Sequence, residues 1–381
     1  MKKIAFATTA RSDYNASRYI IKAIENDLDL ELQLLVGGSH VSHNLGYTVE
    51  EIVKDGYTGK YSGMICGNES KDIAYGIYNS IGIVTDIFEN DKPDLLIING
   101  DRLELMSFII PAVLYNIPIA HIGGGEITEG SRDNDTRYAI SHYAHLHFVA
   151  DQQCAENLYK QGIEKRRVFI VGWEGIENIR KTKQISNQKM KKRSGIDLSI
   201  PSILFIYYPS LENGLDTQKQ IDLILNALDY LNLQIQIIFI YPCAEIEGDI
   251  IKKAINNYID KRANCKAFSN LDNEVFVNLM RNCKFIIGNS SAGIIEMPSI
   301  PKWTINIGNR QKGRKHNIKS IINVGYSSRK ITEAMDFALN NKVPENINQN
   351  FNPSQKIIQA IKENIDRPDL FYKKFLLGGN Q

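Results

Sequence analysis

Phe285-Ile286-Ile287-Gly288-Asn289-Ser290-Ser291-Ala292-Gly293-Ile294-Ile295-Glu296 decides the fold. Its first three residues are a continuous apolar run, as expected of a parallel strand covered on both faces. A loop of small residues follows, and then the start of a helix. Free amide donors, the helix dipole and the hydroxyls of Ser290 and Ser291 point at one spot there, with Gly293 beside them, and suit an anion. Glu296 falls one to two turns further on, placed to accept from a ribose hydroxyl. Simple capping by either serine is the plainer alternative.

The same punctuation recurs on both sides of this stretch. Apolar runs at 203–207, 235–241, 266–268 and 303–307 are separated by helical stretches. The last run leads into Gly308-Asn309-Arg310-Gln311-Lys312-Gly313-Arg314, where Arg310, Lys312 and Arg314 would balance a diphosphate. Upstream lies a second series, at 4–7, 32–36, 95–98, 117–122, 146–149 and 168–171, with helix candidates at 16–25, 72–89, 103–115 and 152–161. Strand–helix alternation predicts an α/β protein with two Rossmann-like, doubly wound domains facing across a cleft. The expected boundaries are 1–172, 173–353 and a terminal segment 354–381, whose helix, read over 354–375, packs back on the first domain. The basic stretch 174–200 reads as a solvated helix and linker.

Bulk properties narrow the function. A length of 381 residues exceeds what one core usually supports. The net charge of +2, from 45 basic and 43 acidic residues, argues against a broad nucleic-acid surface. No apolar run approaches the ~20 residues that span a bilayer, and the apolar start at 4–7 stops too soon for a signal peptide. Cys66, Cys154, Cys243, Cys265 and Cys283 are scattered and form no C-x-x-C pair, so neither a disulfide framework nor a metal site is indicated. The expectation is a cytoplasmic protein without cofactor, nucleic-acid partner or membrane contact.

Ligands of open α/β sheets bind beyond the carboxyl ends of the strands, so the loops there carry the candidates. Arg11 stands where the first loop turns into a helix, and is equally a ligand contact or a surface arginine. Gly37-Gly38-Ser39-His40 allows close backbone approach to a ligand, although a plain turn accounts for it as well. Asp101, after Asn99-Gly100, is a carboxylate on the cleft floor or an N-cap for the helix that follows. Gly123-Gly124-Gly125-Glu126 exposes backbone amides and a carboxylate together. Asp133 and Arg137 share a helical face, as a surface ion pair or as site residues. Asp101, Glu126 and Asp133 would be three acids converging on one place, a set that suits proton transfer.

In family order, these pieces resemble the hydrolysing UDP-N-acetylglucosamine 2-epimerases of bacterial sialic- and legionaminic-type sugar synthesis. The matching residues are Arg11-Ser12-Asp13-Tyr14, Gly100-Asp101-Arg102, Gly124-Gly125-Glu126, Asp133 with Arg137, 288–296 and 307–314. The phosphate loop Gly-Asn-Ser-Ser-Ala-Gly separates the chain from the non-hydrolysing relatives, whose loop is of the Asp-Ser-Gly-Gly type. The resemblance implies a GT-B-like fold, a homo-oligomer (dimer or tetramer) and a nucleotide-sugar substrate. It also implies roles. Asp101 and Asp133 serve elimination, one of them as base, and Glu126 serves hydration as acid. Arg137 orients or neutralises a neighbouring carboxylate. Ser290, Ser291 and Arg314 hold the diphosphate, Glu296 the ribose and Arg11 the base.

Two departures fall near the expected sugar pocket. Tyr138 stands where the family usually has His, and Tyr207-Tyr208-Pro209-Ser210-Leu211-Glu212 lacks the His of the family's His-Pro segment. They open a second donor, a UDP- or GDP-linked 2,4-diacetamido-trideoxyhexose. A glycosyltransferase on the same architecture is the competing class. Transfer needs no proton removal from carbon 2, so the three acids argue against it.

Overall fold

The computed structural model describes residues 1–43, 46–63, 69–212, 214–242, 245–314, 318–344 and 352–376. Cys66 and Cys243 lie outside the described residues. The chain runs β1 (Lys2–Thr8), α1 (Arg11–Glu25), β2 (Leu30–Val36), α2 (Val49–Lys54), β3 (Lys60–Tyr61), α3 (Ser70–Asn90), β4 (Leu95–Asn99), α4 (Met106–Leu114), β5 (Ile119–Ile122), α5 (Asp133–Tyr143), β6 (Leu146–Val149), α6 (Gln152–Lys160), β7 (Val168–Ile170) and α7 (Glu174–Lys181). It continues through α8 (Asn187–Ser194), β8 (Ser202–Ile206), α9 (Thr217–Leu228), β9 (Gln236–Ile240), α10 (Gly248–Ile259), β10 (Cys265–Phe268), α11 (Asn273–Asn282), β11 (Phe285–Gly288), α12 (Ser291–Ile294), β12 (Trp303–Ile307), β13 (Ile321–Val324), α13 (Ser328–Asn340) and α14 (Pro353–Asn364).

Contacts divide the chain into two units. The first holds Met1–Ile127, Arg132–Asn178 and Asn350–Gln381; the second holds Thr128–Ser131 and Ile179–Gln349. In the first unit the sheet order is β3-β2-β1-β4-β5-β6-β7, and in the second β10-β9-β8-β11-β12-β13. All pairs are parallel. The order reverses between β1 and β4 and again between β8 and β11, so the loops leaving those strands border each sheet's binding crevice.

Burial explains the strands. Every residue of β4, β5 and β6 is buried, because helices cover both faces. Ile4, Phe6, Leu95, Ile97, Ala120, Ile122 and Phe148 share one face with Ile20, Ile21 and Ile24 of α1 and Ile357 and Ile361 of α14. The final helix thus completes the first unit's core, and each isoleucine it buries contributes about 1.5–3 kcal/mol. In the second unit Ile203, Phe205, Phe239 and Ile305 pack on one side of the sheet. Leu204, Ile206, Ile238 and Ile286 pack on the other.

Two expectations are corrected, and two strands are added. Residues 174–200 are not merely a solvated linker: Met190 and Ile196 are fully buried in one cluster with Leu204 and Ile206, two apolar anchors being enough among many lysines. The terminal helix stops at Asn364 rather than running to 375. Pro368 lacks an N–H and disfavours helix in the residue before it. The chain beyond is clamped instead: Arg167 donates to the carbonyls of Leu370 at 2.8 Å and Tyr372 at 2.9 Å. Lys373 donates to His142 O at 2.7 Å, Tyr143 O at 3.1 Å and Ala144 O at 3.3 Å, closing the end of α5. Finally, β3 and β13 are edge strands that the apolar runs do not announce. Among the described residues, no helix is long and apolar enough to cross a membrane.

Candidate active site

In the first unit Gly100 takes φ +87, a left-handed turn that ends β4 and starts the loop bearing Asp101. Asp101 is not an N-cap: the short 3-10 turn at Leu103–Leu105 begins after Arg102 and has no side-chain cap. The Asp101 carboxylate instead accepts from Nη2 of Arg137. Nη1 of Arg137 donates to the main-chain oxygen of Glu126 at 3.2 Å. Arg137 is only 2 % exposed, so this is no surface pair. Burial alone would lower its pKa, but Asp101, Glu126 and Asp133 outweigh burial and raise it, keeping the guanidinium charged. Asp133 opens α5 one turn before Arg137, and Glu126 is buried. The three acids expected to converge therefore all lie within the electrostatic reach of one buried arginine.

The glycine run does something other than expose backbone. A side chain at Gly125 would start 2.2 Å from Cys154 O, and Gly125 O accepts from Asn157 Nδ2 at 2.8 Å. A side chain at Gly124 would start 2.9 Å from Ser141 Oγ and 3.1 Å from His121 Nδ1. The run is pressed against α5 and α6, which fixes where Glu126 emerges. His121 was not among the expected residues. A histidine inside the otherwise apolar β5 is the signal that could have found it.

His40 is corrected. It is fully buried, with Nε2 2.9 Å from Thr8 Oγ1 and Nδ1 2.7 Å from Thr48 Oγ1. Neither ring nitrogen is left for a ligand. Gly38 likewise approaches the chain rather than a ligand, a Cβ there falling 2.4 Å from Thr9 O. Arg11 is the first residue of α1, whose start is held by Asp13 accepting from Thr9 N at 2.8 Å and Ala10 N at 3.2 Å.

In the second unit Asn289, fully buried, accepts from Tyr208 N at 2.7 Å and donates to Tyr208 O at 2.8 Å. This ties the loops after β8 and β11 across the point where strand order reverses. Ser290 caps α12 by accepting from Ala292 N at 3.3 Å. That helix is only Ser291–Ile294, shorter than the sequence suggests. Gly293 is packed closely against β12: its Cβ would fall 2.9 Å from Thr304 Cγ2, and its carbonyl accepts from Thr304 Oγ1 at 2.7 Å. Glu296 precedes the 3-10 turn Met297–Ser299.

Each cation of the basic loop has a protein partner. The Arg310 guanidinium carbon lies 4.8 Å from the Tyr208 ring centroid, and its Nη1 donates to Asn289 O at 3.3 Å. Arg314 bonds Gln311 Oε1, while Gln311 Nε2 donates to Asn289 O at 2.8 Å. Lys312 pairs with Glu129 at 2.8 Å. Glu212 accepts from Asn309 N at 2.6 Å and Asn309 Nδ2 at 2.8 Å, anchoring the loop from the segment that departs from the family pattern. Arg310 and Arg314 are thus gathered beside Asn289 and the Ser290–Ser291 turn. Among the described residues no group of three or more His, Cys, Asp or Glu is placed to hold a metal ion.

Two parallel doubly wound units, one with buried-arginine-linked acids and the other with a serine turn beside a basic loop, define a GT-B-like nucleotide-sugar enzyme. The UDP-N-acetylglucosamine 2-epimerase family model matches residues 22–362, and the chain belongs to that family. It is 32% identical over 380 residues to the "GDP/UDP-N,N'-diacetylbacillosamine 2-epimerase (hydrolyzing)" of Campylobacter jejuni, covering 98% of this chain and 99% of that one. It is 30% identical over 348 residues to the "UDP-N,N'-diacetylbacillosamine 2-epimerase (hydrolyzing)" of Legionella pneumophila, covering 89% of each. The UDP-GlcNAc 2-epimerase of Neisseria meningitidis, solved bound to UDP-GlcNAc, shares the fold with a TM-score of 0.77 at 18% identity, over 95% of this chain and 100% of that one.

Proposed function

We propose that this chain is a hydrolysing 2-epimerase that converts a UDP-linked 2-acetamido sugar, UDP-N-acetylglucosamine foremost, into the free manno-configured sugar and UDP. The carrying observation is the Asp101–Arg137–Glu126 cluster at the carboxyl ends of β4 and β5. A carbon-2 proton has no adjacent carbonyl and is not acidic in the ground state. As the C1–O bond breaks and UDP departs, oxocarbenium character at carbon 1 makes that proton labile. A carboxylate takes it and the electron pair forms the C1=C2 bond of a glycal. An acid returns a proton to carbon 2 from the other face, and water adds to carbon 1 as a hydroxyl, giving its other proton to a carboxylate. Asp101 and Asp133 serve the first half, one of them as base, and Glu126 the second. Arg137 holds Asp101 in place. Ser290, Ser291, Arg310 and Arg314 hold the diphosphate, Glu296 the ribose and Arg11 the base.

A second donor has its own support. The Campylobacter and Legionella relatives are named for N,N'-diacetylbacillosamine and match along most of their length. The test is an NMR time course in deuterated water with UDP-N-acetylglucosamine and with UDP-N,N'-diacetylbacillosamine. Free manno-configured sugar with deuterium at carbon 2 supports the reading and selects the donor. UDP release without deuterium means hydrolysis or transfer, and the roles given to the three acids fall. Homo-oligomerisation is proposed from the apolar side chains that α3 and α4 leave exposed, among them Tyr75, Tyr78, Val113 and Leu114. A monomer by sedimentation velocity refutes it.

A further inference from the structure

His121 takes no part in the chemistry above, yet it touches the segments that carry the three acids. It is fully buried in β5. Its Nε2 lies 2.8 Å from the carbonyl oxygen of Gly100, and its Nδ1 lies 3.0 Å from Ser141 Oγ. A carbonyl oxygen only accepts, so Nε2 carries the proton. Burial pulls the ring down to about 4, so it is neutral, Nδ1 is the acceptor for the Ser141 hydroxyl, and a single tautomer results.

The three partners are placed with purpose. Gly100 immediately precedes Asp101, and its φ of +87 turns the chain out of β4 at that point. Ser141 stands on α5 four residues after Arg137 and eight after Asp133. The loop that carries Glu126 crosses beside the pair at Gly124, where a Cβ would meet both Ser141 Oγ and His121 Nδ1 at 3.1 Å or less. One hydrogen-bonded pair therefore joins the Asp101 loop, the Glu126 loop and the helix of Asp133 and Arg137.

We propose that His121 is a positioning residue of the 2-epimerase reaction: its Nε2–H and its bond from Ser141 fix the Gly100–Asp101 peptide against α5, and so set where the Asp101 carboxylate stands. The proposal rests on the reaction assigned above. A rigid ring held at two points restrains the main chain that carries Asp101, whereas Arg137 acts on its carboxylate. Displacements of about 1 Å at a reacting group cost ~100-fold in rate. The charged and titratable groups facing the ring are Arg137 and Asp101, with His147 beside it on β6. A proton on His121 would set a second cation beside Arg137 and reverse the Ser141 bond, Nδ1–H then donating to the hydroxyl oxygen.

The experiment compares His121→Gln, His121→Leu and Ser141→Ala with the native chain, using whichever of the two UDP sugars the native chain turns over. Glutamine keeps an N–H that reaches Gly100 O, whereas leucine keeps only volume. Expected is a ~100-fold fall in kcat for leucine, a fall of under ~10-fold for glutamine and for Ser141→Ala, and KM within ~2-fold throughout. The proposal is overturned if glutamine is no better than leucine, if leucine retains kcat, or if KM rises as kcat falls. Should the leucine variant not fold, the Ser141→Ala and glutamine results decide. A second readout needs no turnover: imidazole nitrogen shifts should show His121 as the neutral Nε2–H form from about pH 5.5 to 8. The other tautomer, or titration in that range, overturns the proposal. Absence of turnover by the native chain, with that signature intact, sinks the assigned reaction and leaves the positioning geometry standing.

Discussion

Acid should unfold the first unit before the second. His40, His121, His145 and His147 are all buried in the first unit. Burial pushes His40 and His145 down to about 3 and His121 to about 4, and holds His147 well below its usual value. In the unfolded chain each titrates near 6.5. Below that pH the unfolded state binds protons the folded state refuses, so stability is fully present above pH 6.5 and is lost as pH falls towards the folded values. At pH 5 the loss is about 2 kcal/mol per histidine, or about 8 kcal/mol for the four. Asp13 works in the opposite direction. Burial raises it to about 6 against its amide hydrogen bonds, so the folded state takes up its proton first and offsets about 1 kcal/mol.

A net loss of about 7 kcal/mol compares with the ~5–15 kcal/mol that holds a domain together. For a unit of this size it corresponds to a drop in Tm of roughly 15–25 °C. The second unit, Ile179–Gln349 with Thr128–Ser131, contains His316 alone, outside the described residues. Calorimetry of the full chain between about pH 7.5 and 5, with hydrogen exchange to assign each transition, makes the test. Two transitions that separate as pH falls, the first unit melting earlier, are expected. A first-unit transition that moves by less than about 5 °C, or both transitions falling together, refutes the reasoning.

Other outcomes follow from single contacts. Arg137→Lys cannot hold the Asp101 carboxylate and Glu126 O together, so kcat should fall ~100-fold with KM within ~2-fold; steady-state kinetics with unchanged kcat would refute this. Gly130→Ala would place a Cβ 2.4 Å from Asn309 O and 2.8 Å from Arg310 Cα. The basic loop must shift, and calorimetric titration should show UDP binding weakened ~10-fold, in line with an overpacking cost of about 1–3 kcal/mol. Lys373→Met removes the ammonium that closes α5. The first unit should lose about 1–3 kcal/mol with faster amide exchange along α5, and an unchanged melt would show the clamp to be idle.

Much of the fold is legible because parallel strands covered on both faces must be largely apolar. That is why β4 stands out as a run of four apolar residues, and β5 and β6 as runs interrupted by one histidine each. The same logic hides β3, only Lys60–Tyr61, and β13, whose residues are partly exposed at a sheet edge. Arg137 shows the limit for the site. Its spacing from Asp133 is local and visible, but its ion-pair partner Asp101 lies 36 residues away. Only the adjacency of β4 and β5, with α5 following β5, brings the two together. Glycines mislead in a related way. A sequence records that Gly124 and Gly125 have no side chain, but not that Ser141, His121 and Cys154 occupy the space where one would go. His40 fails for the same reason: its polarity is visible, while the two threonine hydroxyls that satisfy it are not.

The places where the chain breaks ordinary folding preferences are not scattered. A buried arginine, a histidine inside an apolar strand and a run of three glycines all gather at the carboxyl ends of β4 and β5. A buried ion pair such as Asp101–Arg137 is weak evidence of stabilisation, since desolvation can exceed the attraction. Buried neutral histidines resist the protons that the unfolded chain takes up in acid, and glycines raise the entropy lost on folding. None of these features is what a stable sheet requires. Among its described residues the second unit, built on the same strand order, carries no comparable set: polar loop residues there bond one another, as Asn289 does with Tyr208 and Glu212 with Asn309. Two similar scaffolds under similar packing demands differ in where they tolerate destabilising groups. On the proposed reaction, that difference follows from chemistry in the first unit, where proton transfer needs charge held at fixed points, and from binding in the second, where a pre-formed loop is enough.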